Sequence, residues 1–217
     1  MVTGLGLLAA LGSLLAQPQT SIATTLVKVN VISSEPFTQQ RSESGLLDAQ
    51  TEQQMARSSA VLSSAAKSLD TGRSTVDLRQ AMTATLLPDA TVLRITFAAS
   101  TSEAAKTGAD TIAKAYLDFR TSEADVRRET IVDQLNARRD VLRQEVLDAN
   151  GAIAKAAVGS PERAQALADR QVLSTELDSL ASNLNVLSGL DTTGGSVLTA
   201  AEDNPVELTP RRWLVVG

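Results

Sequence analysis

The sequence predicts an α+β fold: a small membrane-proximal sheet with helices, plus a long protruding antiparallel helical hairpin. Three observations carry this prediction. Residues 100–187 hold two long helical patterns, with a break at Gly159-Ser160-Pro161 between them. Short period-two runs of β-branched residues lie on either side of that stretch. Both ends of the chain are apolar.

The helical stretch begins at Ser100-Thr101-Ser102-Glu103, where Ser100 and Glu103 stand at capping-box spacing. Only Gly108 and Gly151 interrupt the outgoing arm, and no proline does. Pro161 suits the first turn of the return arm, because its missing N–H has no helical partner there. The return arm carries Leu173, Leu177, Leu180, Leu184 and Leu187 in a heptad rhythm. The outgoing arm has a weaker seam at Leu135, Leu142, Val146, Ala149, Ile153 and Ala156, with Arg139 on a position where an apolar residue is expected. At 1.5 Å per residue the outgoing helix is roughly 80 Å long. A rod of that length projects from a base or packs along neighbours.

The base is built from the flanks. Thr25, Val27, Val29 and Val31 alternate with Leu26, Lys28, Asn30 and Ile32, which predicts a first strand. A polar loop over 33–45 follows. A single helix is expected from Leu46 to Leu69, capped by Asp48 and closed by Asp70-Thr71-Gly72. Ser74 and Asp77 open a short helix that runs to about Ala84, followed by a turn at Leu86-Leu87-Pro88-Asp89. A second strand covers 91–98, with Leu93, Ile95 and Phe97 on one face. After the hairpin, Gly194-Gly195 reads as a turn and 196–200 as a short third strand.

The ends frame this order. Residues 2–16 are uncharged. As a helix they cover about 22 Å, less than the roughly 30 Å hydrocarbon core of a bilayer. A partial transmembrane helix, a signal segment and a buried apolar helix all remain open. Pro205, Pro210 and Arg211-Arg212-Trp213 lead into an apolar 214–217, like the interfacial entry to a second span. The expected division is therefore 1–16 as a partial first span and 17–99 as an α/β base. Residues 100–188 form the hairpin, 189–204 the return strand, and 205–217 the proline lead-in and the start of a second span.

Composition narrows the chemistry. Aromatics make up only 2% of the chain, so the core must be aliphatic. With no Cys and no His, thiolate and imidazole metal sites and His-dependent acid–base catalysis are excluded. A net charge of -5, with no basic patch interleaved with aromatics, argues against nucleic acid as a partner. Neither GxxxxGK[ST] nor GxGxxG occurs in the sequence. Carboxylate pairs such as Asp140 with Glu145 and Glu123 with Asp125 sit beside arginines, which marks solvated helix faces. Ser63-Ser64 near Lys67 carries no further sign of a nucleophile. No catalytic residue, cofactor or metal site is expected.

The arginines of the outgoing arm are Arg120, Arg127, Arg128, Arg138, Arg139 and Arg143. Their plain role is solvation and salt-bridging along an exposed rod. Arg127, Arg128, Arg138, Arg139 and Arg143 are the candidate contacts to a neighbouring subunit or a polyanion. Arg139, on the seam, is expected either to pair with a carboxylate or to lie at a subunit contact.

Several stretches together resemble a known family. They are LLAQPQTSIATTLVKVNV, MARSSAVLSSAAKSL, DLRQAMTA, PDATVLRITFAASTSEAAKTGADTIAKAYLDFR and NPVELTPRRWLVVG. In that order they are similar to the Wzz-type polysaccharide chain-length determinants, or polysaccharide co-polymerases, and to the related transmembrane adaptors of bacterial tyrosine kinases. The resemblance covers nearly the whole chain as an ordered set of loose patterns. It implies a non-catalytic protein of the bacterial inner membrane, with the bulk of this chain extracytoplasmic. It also implies a homo-oligomeric ring that sets the chain length, or aids the export, of a surface polysaccharide alongside a polymerase or export machinery. The kinase branch implies a sensor or adaptor role with a cytosolic tyrosine kinase domain as partner. A periplasmic adaptor of an efflux or secretion machine also uses helical hairpins, but such a hairpin leads into a lipoyl-like half-motif rather than a short strand and a proline tail.

Overall fold

A computed structural model describes residues 19–31, 47–88 and 90–210. The expected apolar segments at 2–16 and 214–217 and the loop at 33–45 lie outside the described residues. Among the described residues, no helix is long and apolar enough to cross a membrane. The fold is α+β: an antiparallel five-stranded sheet with helices, and two long helices packed as a hairpin. The described residues form two compact units, one of 19–31, 47–121 and 193–210, the other of 122–192.

The first unit holds strands β1 (Gln19–Val29), β2 (Met82–Leu86), β3 (Val92–Ala99), β4 (Gly195–Thr199) and β5 (Glu207–Pro210). It also holds helices α1 (Ala49–Ala56), α2 (Ser59–Leu69), α3 (Thr75–Ala81) and the first turns of α4 (Ser102–Lys155). The strand order is β2-β3-β1-β4, and β5 also pairs with β1. β1 is the axis of the sheet. Thr25 stands opposite Ile95 of β3, Val29 opposite Gly195 of β4, and Gln19 opposite Pro210 of β5. A register shift between Leu26 and Val27 marks an irregularity in the β4 pairing.

The period-two patterns bury one face. Ala23, Thr25, Val27 and Val29 of β1 and Leu93, Ile95 and Phe97 of β3 point into a core shared with Val61, Leu62, Leu78, Ile112 and Tyr116. Small residues on α4, Ala105, Ala109 and Ala113, are fully buried there. Gly108 has a stricter reason: a Cβ at that position would overlap the Phe97 ring. The buried Thr25 hydroxyl donates to Asp110 Oδ1 at 2.6 Å, and that same oxygen accepts from the Ala201 N–H at 2.8 Å. One carboxylate thus ties β1, α4 and the segment after β4 together.

The structure corrects four local expectations. The single helix over 46–69 is two helices, broken at Arg57, with Ser58 capping the second. The short helix stops at Ala81, and Met82 to Leu86 form a strand rather than a helix end; the expected turn follows it, closed by the Ala90 N–H to the Leu87 carbonyl at 3.3 Å. Pairing with β3 overrides the helical continuation: Met82 stands opposite Phe97, both point inward, and the Thr83 and Thr96 hydroxyls meet at 2.6 Å. The proline segment contains β5, which tolerates Pro210 because it is short and the proline ends it. Thr101, not Ser100, caps α4: its Oγ1 accepts from the Ala104 N–H at 3.2 Å.

The caps at Asp48 and at Ser74 with Asp77 form as expected. In the second unit, α4 (54 residues) and α5 (Pro161–Ser188) bury the expected seam, with Leu142 and Leu187 fully covered and Leu180 nearly so. Ser160 caps α5 with Pro161 in its first turn. Arg163 reaches back to the end of α4, donating to the Ile153 and Ala156 carbonyls at 3.0 and 3.3 Å.

Candidate functional site

The arginines of α4 separate into two groups by burial. Arg127 is exposed and has no ion-pair partner among the described residues. Arg128 lies 3.4 Å from Asp125 and Arg143 lies 3.7 Å from Asp140, both one turn away on the same helix and open to water. Arg138 crosses to α5, where its Nε and Nη2 donate to Glu176 Oε1 at 3.0 and 2.8 Å. That hydrogen bond, and then the Glu176 charge, hold the Arg138 guanidinium above its already high ordinary value. These four residues lie along the hairpin but do not converge on one point.

Arg139 does occupy the seam, on the half-buried side of α4 between Leu135 and Leu142. It pairs with the carboxylate of Asp140, 3.5 Å from Nε, an ion pair that is not a hydrogen bond. The buried Nε therefore has no hydrogen-bond acceptor among the described residues.

Arg120 belongs to a different environment. It is only 6% exposed and forms a buried cluster with Glu52 and Tyr116. Its Nη1 pairs with Glu52 Oε1, its Nη2 donates to the Asn30 carbonyl at 2.7 Å, and its Nε donates to the Gly194 carbonyl at 3.2 Å. The Tyr116 hydroxyl donates to the other Glu52 oxygen at 2.6 Å. Burial, and then the Glu52 charge, push the Tyr116 hydroxyl well above its ordinary value, so it stays protonated and serves as a donor. The cluster ties the end of β1, helix α1, helix α4 and the lead-in to β4 at one point.

Gly194 completes the cluster. Its N–H donates to Thr121 Oγ1 at 2.9 Å, and a Cβ on it would come within 2.7 Å of the Arg120 Cβ. The Gly194-Gly195 pair is not the expected turn: Gly195 opens β4, and the backbone passes between α4 and the Lys28 carbonyl of β1 with no space for side chains. The signal for Arg120 was present in the sequence. Residues 105, 109, 112, 113, 116 and 120 share one helical face, all but the last apolar or aromatic. An arginine on such a face calls for a buried partner.

Among the described residues, no group of three or more carboxylates is placed to hold a metal ion. The cluster is saturated by its own hydrogen bonds, and its chemistry is to hold these elements together. No protein family model matches the chain. No curated protein matches it in sequence. Among solved structures it is similar to a full-length bacterial polysaccharide co-polymerase, with a TM-score of 0.37 and 13% identity, over 90% of this chain and 79% of that one.

Proposed function

We propose that this chain is the extracytoplasmic part of a membrane-anchored, non-catalytic scaffold that regulates the chain length or export of a surface polysaccharide. In this reading it works as a homo-oligomeric co-polymerase beside a polysaccharide polymerase or export machinery, in the bacterial inner membrane.

The observation that carries the reading is the pairing of β1 with β5. Gln19 stands opposite Pro210 in an antiparallel register, so the chain enters and leaves the sheet at the same end. The sequence before Gln19 is an uncharged apolar run, and the sequence after Pro210 is Arg-Arg-Trp followed by apolar residues. The points at which the chain enters and leaves the sheet are thus adjacent, which supports a domain held between two membrane spans. The quoted family-like segments fall on β1, α2, β3 with the start of α4, and β5. The hairpin returns to a strand paired with β1, which disfavours the efflux-adaptor reading.

Within this proposal, Arg127 and Arg139, and the loosely paired Arg128 and Arg143, have bonding capacity left for a neighbouring subunit or a polyanion. Arg138 commits its Nε and Nη2 to Glu176. Deleting the gene and resolving surface polysaccharide on a gel tests the function. A shift in modal chain length is expected, and an unchanged length distribution refutes it. Cross-linking in membranes should give ladders above the monomer; exclusively monomeric protein removes the oligomeric part.

A further inference from the structure

We propose that a small cavity at the start of α4 is a binding site for a single hexose unit of a glycan. The cavity lies within the first unit, has a volume of about 290 Å³, and opens between the α2–α3 turn and the first turns of α4. That volume sits near the lower limit of small-molecule sites, roughly 300–1,000 Å³, and suits one sugar ring rather than a large cofactor.

Of the polar side chains around it, Thr101 is taken up by the α4 cap, and Thr71, Arg73, Glu103 and Thr107 make no hydrogen bond among the described residues. Arg73 follows Asp70 and Gly72, both at positive φ, and precedes the Ser74 cap, so its backbone is fixed on both sides. Its guanidinium lies 5.6 Å from the centroid of the Phe97 ring. Phe97 is only 2% exposed, so the ring is a floor that orients Arg73 and not a stacking platform for a ligand. Arg73, Glu103, Thr71 and Thr107 all line the cavity without a side-chain hydrogen bond or ion pair among the described residues, while Arg73 also feels the charge of Asp77.

These groups favour a neutral polyhydroxylated ligand over a simple ion or an apolar molecule, and a zwitterion is the competitor that the test must exclude. A simple anion meets Glu103, and a simple cation meets Arg73. A purely apolar molecule would strip water from both charges without replacing it. A polyhydroxylated ring satisfies all of them. Its hydroxyls accept from Arg73, donate to Glu103 and exchange both kinds of bond with the threonines. Its C–H face covers Leu69 and Ala104. With no aromatic face to stack on, affinity for an isolated sugar is expected in the millimolar range. The glycan identity rests on the polysaccharide reading above, whereas the binding chemistry does not.

The test uses the full chain in a detergent without a sugar headgroup, titrated with the methyl glycosides of glucose, galactose and mannose. Amide and Arg73 Nε–H shifts are followed by NMR. Saturable shifts confined to Thr71, Arg73, Glu103 and Thr107 with at least one glycoside are expected. Arg73→Ala and Glu103→Gln should each weaken that binding by about tenfold. Both lie on the cavity rim, and Glu103→Gln keeps shape and packing, so a folding defect in one variant leaves the other to decide. No shift with any glycoside, equal shifts in Glu103→Gln, or the same shifts with sodium acetate, methylammonium or glycine overturn the site. If glycosides bind but gene deletion leaves chain length unchanged, the polysaccharide function fails and the site stands. If deletion shifts chain length and no glycoside binds, the site fails and the function stands.

Discussion

Replacing Arg120 with Met is the most direct probe of what holds the first unit together. Met keeps much of the side-chain volume but leaves the Glu52 carboxylate, in a residue only 5% exposed, without its cation. The Asn30 carbonyl also loses its arginine donor, and the Gly194 carbonyl loses one of two, keeping the Asn30 N–H at 3.2 Å. Breaking a buried ion pair by removing one partner costs about 3–5 kcal/mol, because the remaining charge is left uncompensated. The two carbonyl bonds, at about 1 kcal/mol each, place the expected loss toward the upper end of that range. A domain has only about 5–15 kcal/mol to lose. For a chain of this size each kcal/mol moves Tm by roughly 2–4 °C, so a fall of about 6–20 °C is expected. Urea unfolding followed by circular dichroism at matched protein concentration gives the free energy, with Arg127→Met as the exposed control. The double variant Glu52→Gln, Arg120→Met should be more stable than the sum of the two single losses, since it removes the orphaned charge. A loss for Arg120→Met no larger than for Arg127→Met, or strict additivity in the double variant, refutes the reasoning.

Two further outcomes follow from the same packing. Gly108→Ala should cost about 1–3 kcal/mol, because its Cβ meets the rigid Phe97 ring in a filled core; an unchanged urea midpoint shows that the ring is free to move. Hydrogen bonds from Thr51 and Ser74 hold the carboxyls of Asp48 and Asp77 below their ordinary value of 3.8. As pH falls, the unfolded chain takes up these protons first, so the stability from both caps is present above pH 3.8 and is lost as pH falls through the lower folded values. Asp48→Asn with Asp77→Asn should flatten that acid limb of the stability profile, and a profile matching the parent's rules out this origin.

Much of the scaffold was legible because it rests on local periodicity. The alternation in β1 and β3 and the leucine seam of α5 are repeated signals, each fixed by which face must be buried. β2 was hidden because MTATL directly follows a well-capped helix, and only its partner β3 makes the strand favourable. β5 was hidden by Pro205 and Pro210, which read as an extended lead-in. The Arg120 cluster has partners at Glu52, Asn30 and Gly194 that are far apart in sequence, so spacing alone could not join them. Arg139 drew notice for breaking an apolar face, and Arg120 breaks one in the same way. A seam position can leave a guanidinium half-buried with an open donor, as at Arg139, or enclose it among acceptors. The pattern marks the conflict but not its resolution.

The register of β1 also sets an order of events during folding. β2 and β3 are close in sequence and can pair while the chain is still emerging, within microseconds once both are available. β1 emerges before either of them, yet its partners on the other edge, β4 and β5, come only after the whole hairpin. Closing so large a loop is slow, and until it happens the central strand carries an open hydrogen-bonding edge. Nascent protein interrupted before residue 195 should therefore be the form most prone to aggregation and most dependent on chaperones, and completing the last strands should end that vulnerability.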